Sequence, residues 1–241
     1  MEQEREEQRR TYLLCRLGFA ILSVALVLAC ISWALSMAGP FVGWVRRSAF
    51  LHWFGTPIVW GSLVGTYLLW GRWNHRSWQR RSGLLLLMSL VDLILWFLEH
   101  GNDLSLRLGD VGHEWFRSHL GQALGWAEFA LITSLACDFL VHLGIDQARE
   151  AGKATRSLAA TGAVIWMLLF SMLTNWRGWP LAPRGAMTPE MFLLGLGTEV
   201  IWMITLLQVT ALTIAAWRQS TRALLEMDRD DQEYDLLQFR S

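Results

Sequence analysis

The sequence has little charge and almost no lysine. Charged residues make up 17% of the 241 positions, whereas a typical soluble domain has about 25%. Basic and acidic residues balance at 21 each, so the chain lacks the basic excess of a nucleic-acid-binding protein. The single lysine, Lys153, lies in a predicted loop. No buried lysine is therefore available for Schiff-base chemistry.

Cysteine patterns and the common catalytic signatures are also missing. The three cysteines, Cys15, Cys30 and Cys137, show no C-x-x-C spacing, which gives neither a disulfide framework nor a zinc motif. The sequence contains no G-x-x-x-x-G-K-[ST], G-x-G-x-x-G, G-x-S-x-G or H-E-x-x-H pattern, and these patterns mark nucleotide, hydrolase and zinc-protease sites. These absences leave no catalytic residue to name and leave the cofactor unknown. Whether the protein is an enzyme stays open, although the absences favour that it is not.

Long apolar stretches dominate what the sequence does contain. Apolar residues make up 53% of the chain, and a helix needs about 20 of them in a row to cross a bilayer core. Six stretches meet or approach that length, and three of the six carry no charge. They run over residues 17–38, 50–70, 83–99, 120–145, 158–176 and 191–217. The sequence therefore predicts an all-α, polytopic transmembrane helix bundle of six spans within the lipid bilayer.

The basic residues are distributed unequally between the two sides of such a bundle. One side would hold both termini and the loops at 71–82 and 146–157, with 15 of the 21 basic residues. Because Lys and Arg concentrate in cytoplasmic loops, both termini are predicted to be cytoplasmic, and the location predicted is the bacterial inner membrane. The predicted domains are a cytoplasmic N-terminal cap (1–16), a six-helix transmembrane domain (17–217) and an acidic cytoplasmic tail (218–241).

Three acidic residues, Asp92, Glu128 and Glu199, lie inside three different predicted spans. A rise of 1.5 Å per residue places each of them roughly 10–12 Å below the outer surface. No Lys or Arg lies within a span at that depth, and a charge there costs about 2.5–3.5 kcal/mol on insertion scales. Two interpretations follow. The acids form a shared site for a proton or a cation, or each is protonated and hydrogen-bonds between helices as a structural group.

Histidines supply a second candidate site on the predicted outer side. Four of the six fall there, and acidic residues accompany them in the sequence; they are His52, His100, His113 and His119. Imidazole together with carboxylate suits zinc, copper or iron, so one interpretation is a metal site. The other is a solvated polar surface at the membrane interface.

A third candidate lies on the inner half of the fourth span. Asp138 and His142 are four residues apart, so they share one face of a helix. Because histidine titrates near neutral pH, the pair could form an inner proton relay. The alternative is a structural hydrogen bond.

Two functions remain open at this point. The first is an integral membrane subunit or module with a buried carboxylate site for a cation or proton. The second is a metal- or haem-dependent redox subunit that uses the outer histidines. In both cases the expected partners are other membrane subunits or further copies of the same chain, and nucleic acid is not expected.

Overall fold

The computed structural model describes residues 2–38, 50–73, 75–100, 112–177 and 189–238. Throughout these residues the chain is helical apart from short turns, which confirms the predicted all-α class. Six helices occur in the described ranges, one for each predicted span. They are α1 (Glu2–Ala38), α2 (Phe50–Leu69), α3 (Arg76–His100), α4 (Gly112–His142), α5 (Gln147–Arg177) and α6 (Pro189–Gln238).

Several helices continue well beyond the apolar stretch that predicted them. The segments named above as cap and tail are helical extensions of α1 and α6. They are rich in Glu, Gln, Arg and Leu, which are good helix formers, so the end of the apolar run does not end the helix. The two extensions pair through Arg9 of α1 and Asp228 of α6, whose side chains form an ion pair of 2.6 Å.

The turn between α4 and α5 shows why α4 ends where it does. Gly144 has a positive φ of 82°, a conformation that glycine adopts without steric strain. Its amide donates to the carbonyl of Val141, and the Ile145 amide donates to that of Leu140, both at 3.0 Å. This is the Schellman hydrogen-bond pattern, which satisfies the last carbonyl groups of a helix. The chain can therefore reverse direction within a few residues.

Helices that are consecutive in sequence pack side by side, and α6 packs against α1 to close a ring. Neighbours are antiparallel: Gly18 of α1 approaches Gly65 of α2, while the later residue Ala25 approaches the earlier residue Gly61. α4 and α6 also pack together, through Trp202, which contacts Trp126 and Phe129. The result is an up-and-down ring of six helices.

Small residues bring α1 and α2 unusually close. A Cβ atom added at Gly65 would lie 2.7 Å from Leu22 Cγ and 3.0 Å from the backbone oxygen of Gly18. One turn away, a Cβ at Gly61 would lie 3.0 Å from the Cβ of Ala25. The Gly61-x-x-x-Gly65 spacing is typical of tightly packed transmembrane helices, in which van der Waals contact drives association.

Three segments of the described chain are long and apolar enough to cross a membrane, namely Gln3–Leu35, Gly121–His142 and Gly195–Arg229. They lie on α1, α4 and α6. Two of these helices also present large apolar side chains outward, such as Val24 on α1 and Leu207 on α6. Apolar side chains on the outer surface of a bundle suit contact with lipid, so the three segments indicate integration into a membrane.

Candidate functional site

The structure brings two of the predicted acidic residues together. Asp92 on α3 and Glu128 on α4 lie close enough to interact electrostatically. Ser89 of α3 is fully buried. Its hydroxyl donates to Glu128 Oε1 at 3.2 Å. Ser89 precedes Asp92 by three residues, so both lie on the face of α3 that meets α4. Two half-buried carboxyl groups and a buried serine hydroxyl thus form one cluster.

Hydroxyl groups on α2 extend this cluster to a third helix. Ser62 Oγ lies 3.3 Å from Ser89 Oγ, and Thr66 Oγ1 lies 3.5 Å from it. A hydroxyl has a single proton to donate. While Glu128 is ionised it can only accept, so Ser89 donates to it and the hydrogen bond between the serines runs from Ser62 to Ser89. Thr66 donates to the carbonyl of Ser62 at 2.7 Å. Donation therefore runs from Ser62 of α2 to Ser89 of α3, and from Ser89 to Glu128 of α4.

This cluster, called the acid network below, offers only oxygen atoms as ligands. Its members are Ser62, Thr66, Ser89, Asp92 and Glu128. The residues between 48 and 71, between 82 and 106 and between 118 and 148 include no Lys or Arg, so no basic residue on these stretches can neutralise the acids. Two carboxylates so placed repel each other if both are charged. Binding a proton or a cation removes that repulsion, and oxygen ligands suit either.

Glu199, the third predicted acid, has a different partner. The indole nitrogen Nε1 of Trp33 on α1 donates to Glu199 Oε2 at 3.0 Å. This hydrogen bond belongs to the seam between α1 and α6, whereas Asp92 and Glu128 meet where α3 packs on α4. A site shared by all three acids stays a prediction.

On the inner half of α4, Asp138 and His142 also have separate partners. Arg81 of α3 donates through Nη1 to Asp138 Oδ2 at 2.6 Å. The ring of His142 packs edge-on against Trp73, with ring centroids 4.5 Å apart. Within the described part of the chain, no hydrogen bond joins Asp138 to His142 directly. A relay between them would need a bridging group.

The outer histidines, His52, His100, His113 and His119, lie on α2, α3 and α4. Their side chains are outside the described residues, so the proposed metal site stays a prediction. Among the side chains that the structure does describe, no group of three or more His, Cys, Asp or Glu residues could hold a metal ion.

The hydroxyl groups of the acid network were not among the site residues predicted from the sequence. Ser62 and Thr66 are four residues apart, and Ser89 and Asp92 are three apart, so each pair shares a helix face. Hydroxyl side chains repeated at that spacing inside an apolar span are a readable signal. The sequence does not show which neighbouring helix such a face meets.

Comparison with known proteins supplies no relative for this chain: no protein family, no curated protein and no solved structure matches it. The geometry of the acid network is therefore what supports a function.

Proposed function

We propose that the chain is an integral protein of the bacterial inner membrane that binds a proton or a cation at the acid network. The observation that carries the proposal is the meeting of Asp92 with Glu128, linked through the Ser89 hydroxyl. A purely structural hydrogen bond between helices needs only one protonated acid. Two acids that interact electrostatically, on helix stretches without Lys or Arg, form a group that takes up and releases a positive charge. As partners we propose other membrane subunits or a second copy of the chain.

We further propose six spans with both termini in the cytoplasm. α4 and α6 are the clearest support, because both qualify as spans. α5 packs on both of them, and it runs antiparallel to α4: Gly162 of α5 lies under Trp126 of α4, and the earlier residue Gly152 lies under the later Cys137. If α4 and α6 cross in the same direction, α5 must cross back between them. α3 likewise runs beside α4 at the depth of Glu128, which supports a span there.

Reporter fusions test this topology. A reporter fused after Gly109, in the connection between α3 and α4, should show an external location, and one fused after Asp146, in the α4–α5 turn, a cytoplasmic one. The physical reason is the excess of basic residues on the predicted cytoplasmic side. The same location for both fusions would rule out α4 as a span and, with it, the six-span arrangement.

Labelling with a hydrophobic carbodiimide tests the acid network itself. This reagent enters the membrane and reacts with a carboxyl group only while that group carries its proton. We expect mass spectrometry of the intact protein to show modification at Asp92 or Glu128, with a rate that falls as the pH rises. If the network accepts a cation, adding that cation should slow labelling at constant pH, so titrations with sodium, potassium and calcium separate a cation site from a proton site.

Isosteric variants provide the controls. Asp92→Asn should slow labelling of Glu128 by about tenfold or more, because the neighbouring charge that favours its protonated form is gone. Glu128→Gln should do the same to Asp92. Glu199→Gln is the matched control and should leave labelling of both unchanged, while all three variants keep their thermal stability to within about 1 kcal/mol. If Asp92→Asn leaves the labelling of Glu128 unchanged and Glu128→Gln leaves that of Asp92 unchanged, the two acids are independent structural groups.

A further inference from the structure

A second possible ligand site lies at the end of the bundle where α1 begins and α4 ends. A cleft of about 270 Å³ opens there between α1, the turn from α2 to α3, and the end of α4. Its floor is aromatic: Trp73 packs on Phe139 with ring centroids 5.4 Å apart, and Tyr12 packs on Phe139 at 6.1 Å. In the sequence, the fully buried Leu69 separates Thr66 of the acid network from Arg72 of the cleft. The residues that line the cleft include none of the acid network, so the two sites are distinct.

The cleft is lined by hydrogen-bond donors that have few partners within the described chain. Arg72 donates from Nε to the carbonyl oxygen of Leu68 at 3.3 Å, and its two terminal guanidinium nitrogens have no partner among the described residues. Tyr12 is only 7% exposed, yet it lines the cleft and its hydroxyl has no hydrogen-bond partner there either. His142 stands at the same opening. A guanidinium with free nitrogens next to a hydroxyl is a recognition element for a carboxylate or a phosphate.

Negative charge lines the same cleft. Two glutamates of α1, Glu4 and Glu7, belong to its lining, and the Glu7 carboxylate forms neither an ion pair nor a hydrogen bond within the described chain. Glu7 and Arg72 thus face one cavity without pairing with each other. A ligand that bears both charges would satisfy both residues at once, and the aromatic rings that line the same cleft would contact its apolar body.

We propose that this cleft binds a small organic zwitterion of the amino-acid class. Its anionic group would bind Arg72 and Tyr12, its ammonium group would bind Glu7, and an apolar or aromatic side chain would pack on Trp73 and Phe139. The volume is slightly below the roughly 300–1,000 Å³ of drug-sized sites, which suits a molecule of this size. The proposal does not depend on the function of the acid network. The same pair of charges occurs in the headgroup of an ethanolamine phospholipid, which is a second source of this chemistry.

Three probes that share a phenylethyl skeleton and differ in charge test the proposal on the full-length protein in detergent. Phenylalanine carries both charges, 3-phenylpropionate only the negative one and 2-phenylethylamine only the positive one. By isothermal titration calorimetry we expect phenylalanine to bind about tenfold or more tightly than either singly charged probe, since each of these lacks one charge-assisted contact. Equal affinities for all three probes would show that the charges are not recognised and would overturn the proposal.

Charge-neutralising variants identify the residues involved. Arg72→Gln should weaken phenylalanine and 3-phenylpropionate by about tenfold and leave 2-phenylethylamine unchanged. Glu7→Gln should weaken phenylalanine and 2-phenylethylamine and leave 3-phenylpropionate unchanged. Glu6→Gln and Arg76→Gln, exposed neighbours outside the cleft, are the matched controls and should change nothing. This crossed pattern does not arise from a general loss of folding. If the controls weaken binding as much as the cleft variants, the site is wrong.

A final arm separates the two sources of the ligand. The protein is placed in nanodiscs of phosphatidylcholine with or without phosphatidylethanolamine, and phenylalanine binding is measured again. Unchanged binding supports a soluble ligand. Competition by phosphatidylethanolamine, absent in Arg72→Gln, supports the same site with the lipid headgroup as its occupant. No binding of phenylalanine at millimolar concentration and no effect of phosphatidylethanolamine on the thermal stability of the wild-type protein would overturn the proposal.

Discussion

Replacing Trp126 by alanine is expected to lower the free energy of unfolding by about 2–4 kcal/mol. Trp126 is 1% exposed and lies where α4, α5 and α6 meet. Its ring centroid is 4.7 Å from that of Trp202 on α6, and its outer edge rests on Gly162 of α5. Lipid is as apolar as the bundle interior, so the loss comes from the packing contacts and the cavity left behind, not from transfer to water.

Two further variants make this expectation specific. The indole N–H of Trp126 is buried without a hydrogen-bond partner in the described chain, so Trp126→Phe removes that unsatisfied donor while keeping an aromatic ring. Its loss should be clearly smaller than that of Trp126→Ala. Trp60→Ala is the control, because Trp60 is 43% exposed on α2 and should lose less than about 1 kcal/mol. Unfolding in mixed micelles, followed by far-ultraviolet circular dichroism, measures all three. Equal losses for Trp126→Ala and Trp60→Ala would contradict the packing described for α4.

The second large effect is expected at the seam between α1 and α2. Gly65→Ala should destabilise the bundle by about 1–3 kcal/mol, the range for overpacking a close contact. The added methyl would stand 3.0 Å from the backbone oxygen of Gly18, and a backbone atom cannot move aside as a flexible side chain can. The two helices must therefore separate, which also loosens the neighbouring contact between Gly61 and Ala25.

A glycine in open space provides the control for this experiment. Gly195 is also helical, but a Cβ atom added there would have nothing within 4 Å. Alanine is favoured over glycine in a helix by about 1 kcal/mol, so Gly195→Ala should leave stability unchanged or raise it slightly. The two substitutions are chemically identical and should have opposite signs in the same unfolding assay. A neutral Gly65→Ala would mean that α1 and α2 are farther apart than described.

The number and order of the helices could be predicted from the sequence because an apolar run is a one-dimensional property. The ends of the helices could not be predicted in this way. Beyond the apolar run they depend on tertiary contacts, such as the ion pair between Arg9 and Asp228, and on residues that permit a turn, such as Gly144. The close packing of Gly61 and Gly65 was not predicted, and nothing along the chain indicates that α1 is the helix in contact with them.

The candidate site divides in the same way. Asp92, Glu128 and Glu199 stand out because charge is rare inside apolar spans, and equal depth suggested that they meet. Depth along a helix says nothing about direction around it, however. Asp92 and Glu128 interact electrostatically across α3 and α4, while Glu199 accepts a hydrogen bond from Trp33 of α1. Ser89 was overlooked because a serine in an apolar span carries no charge to mark it, although it is the residue that joins α3 to Glu128.

The closed ring of helices also determines the order in which helix contacts can form during synthesis. Five of its six seams join consecutive helices and can form as soon as the second helix of each pair has emerged. The seam between α1 and α6 joins the first helix to the last, and its hydrogen bond from Trp33 to Glu199 spans 166 residues. At about 5–20 residues per second, Trp33 waits roughly 10–30 s for its partner. During that interval α1 is held by its glycine contact with α2 and, once α4 has emerged, by the packing of Tyr12 and Phe19 on Phe139.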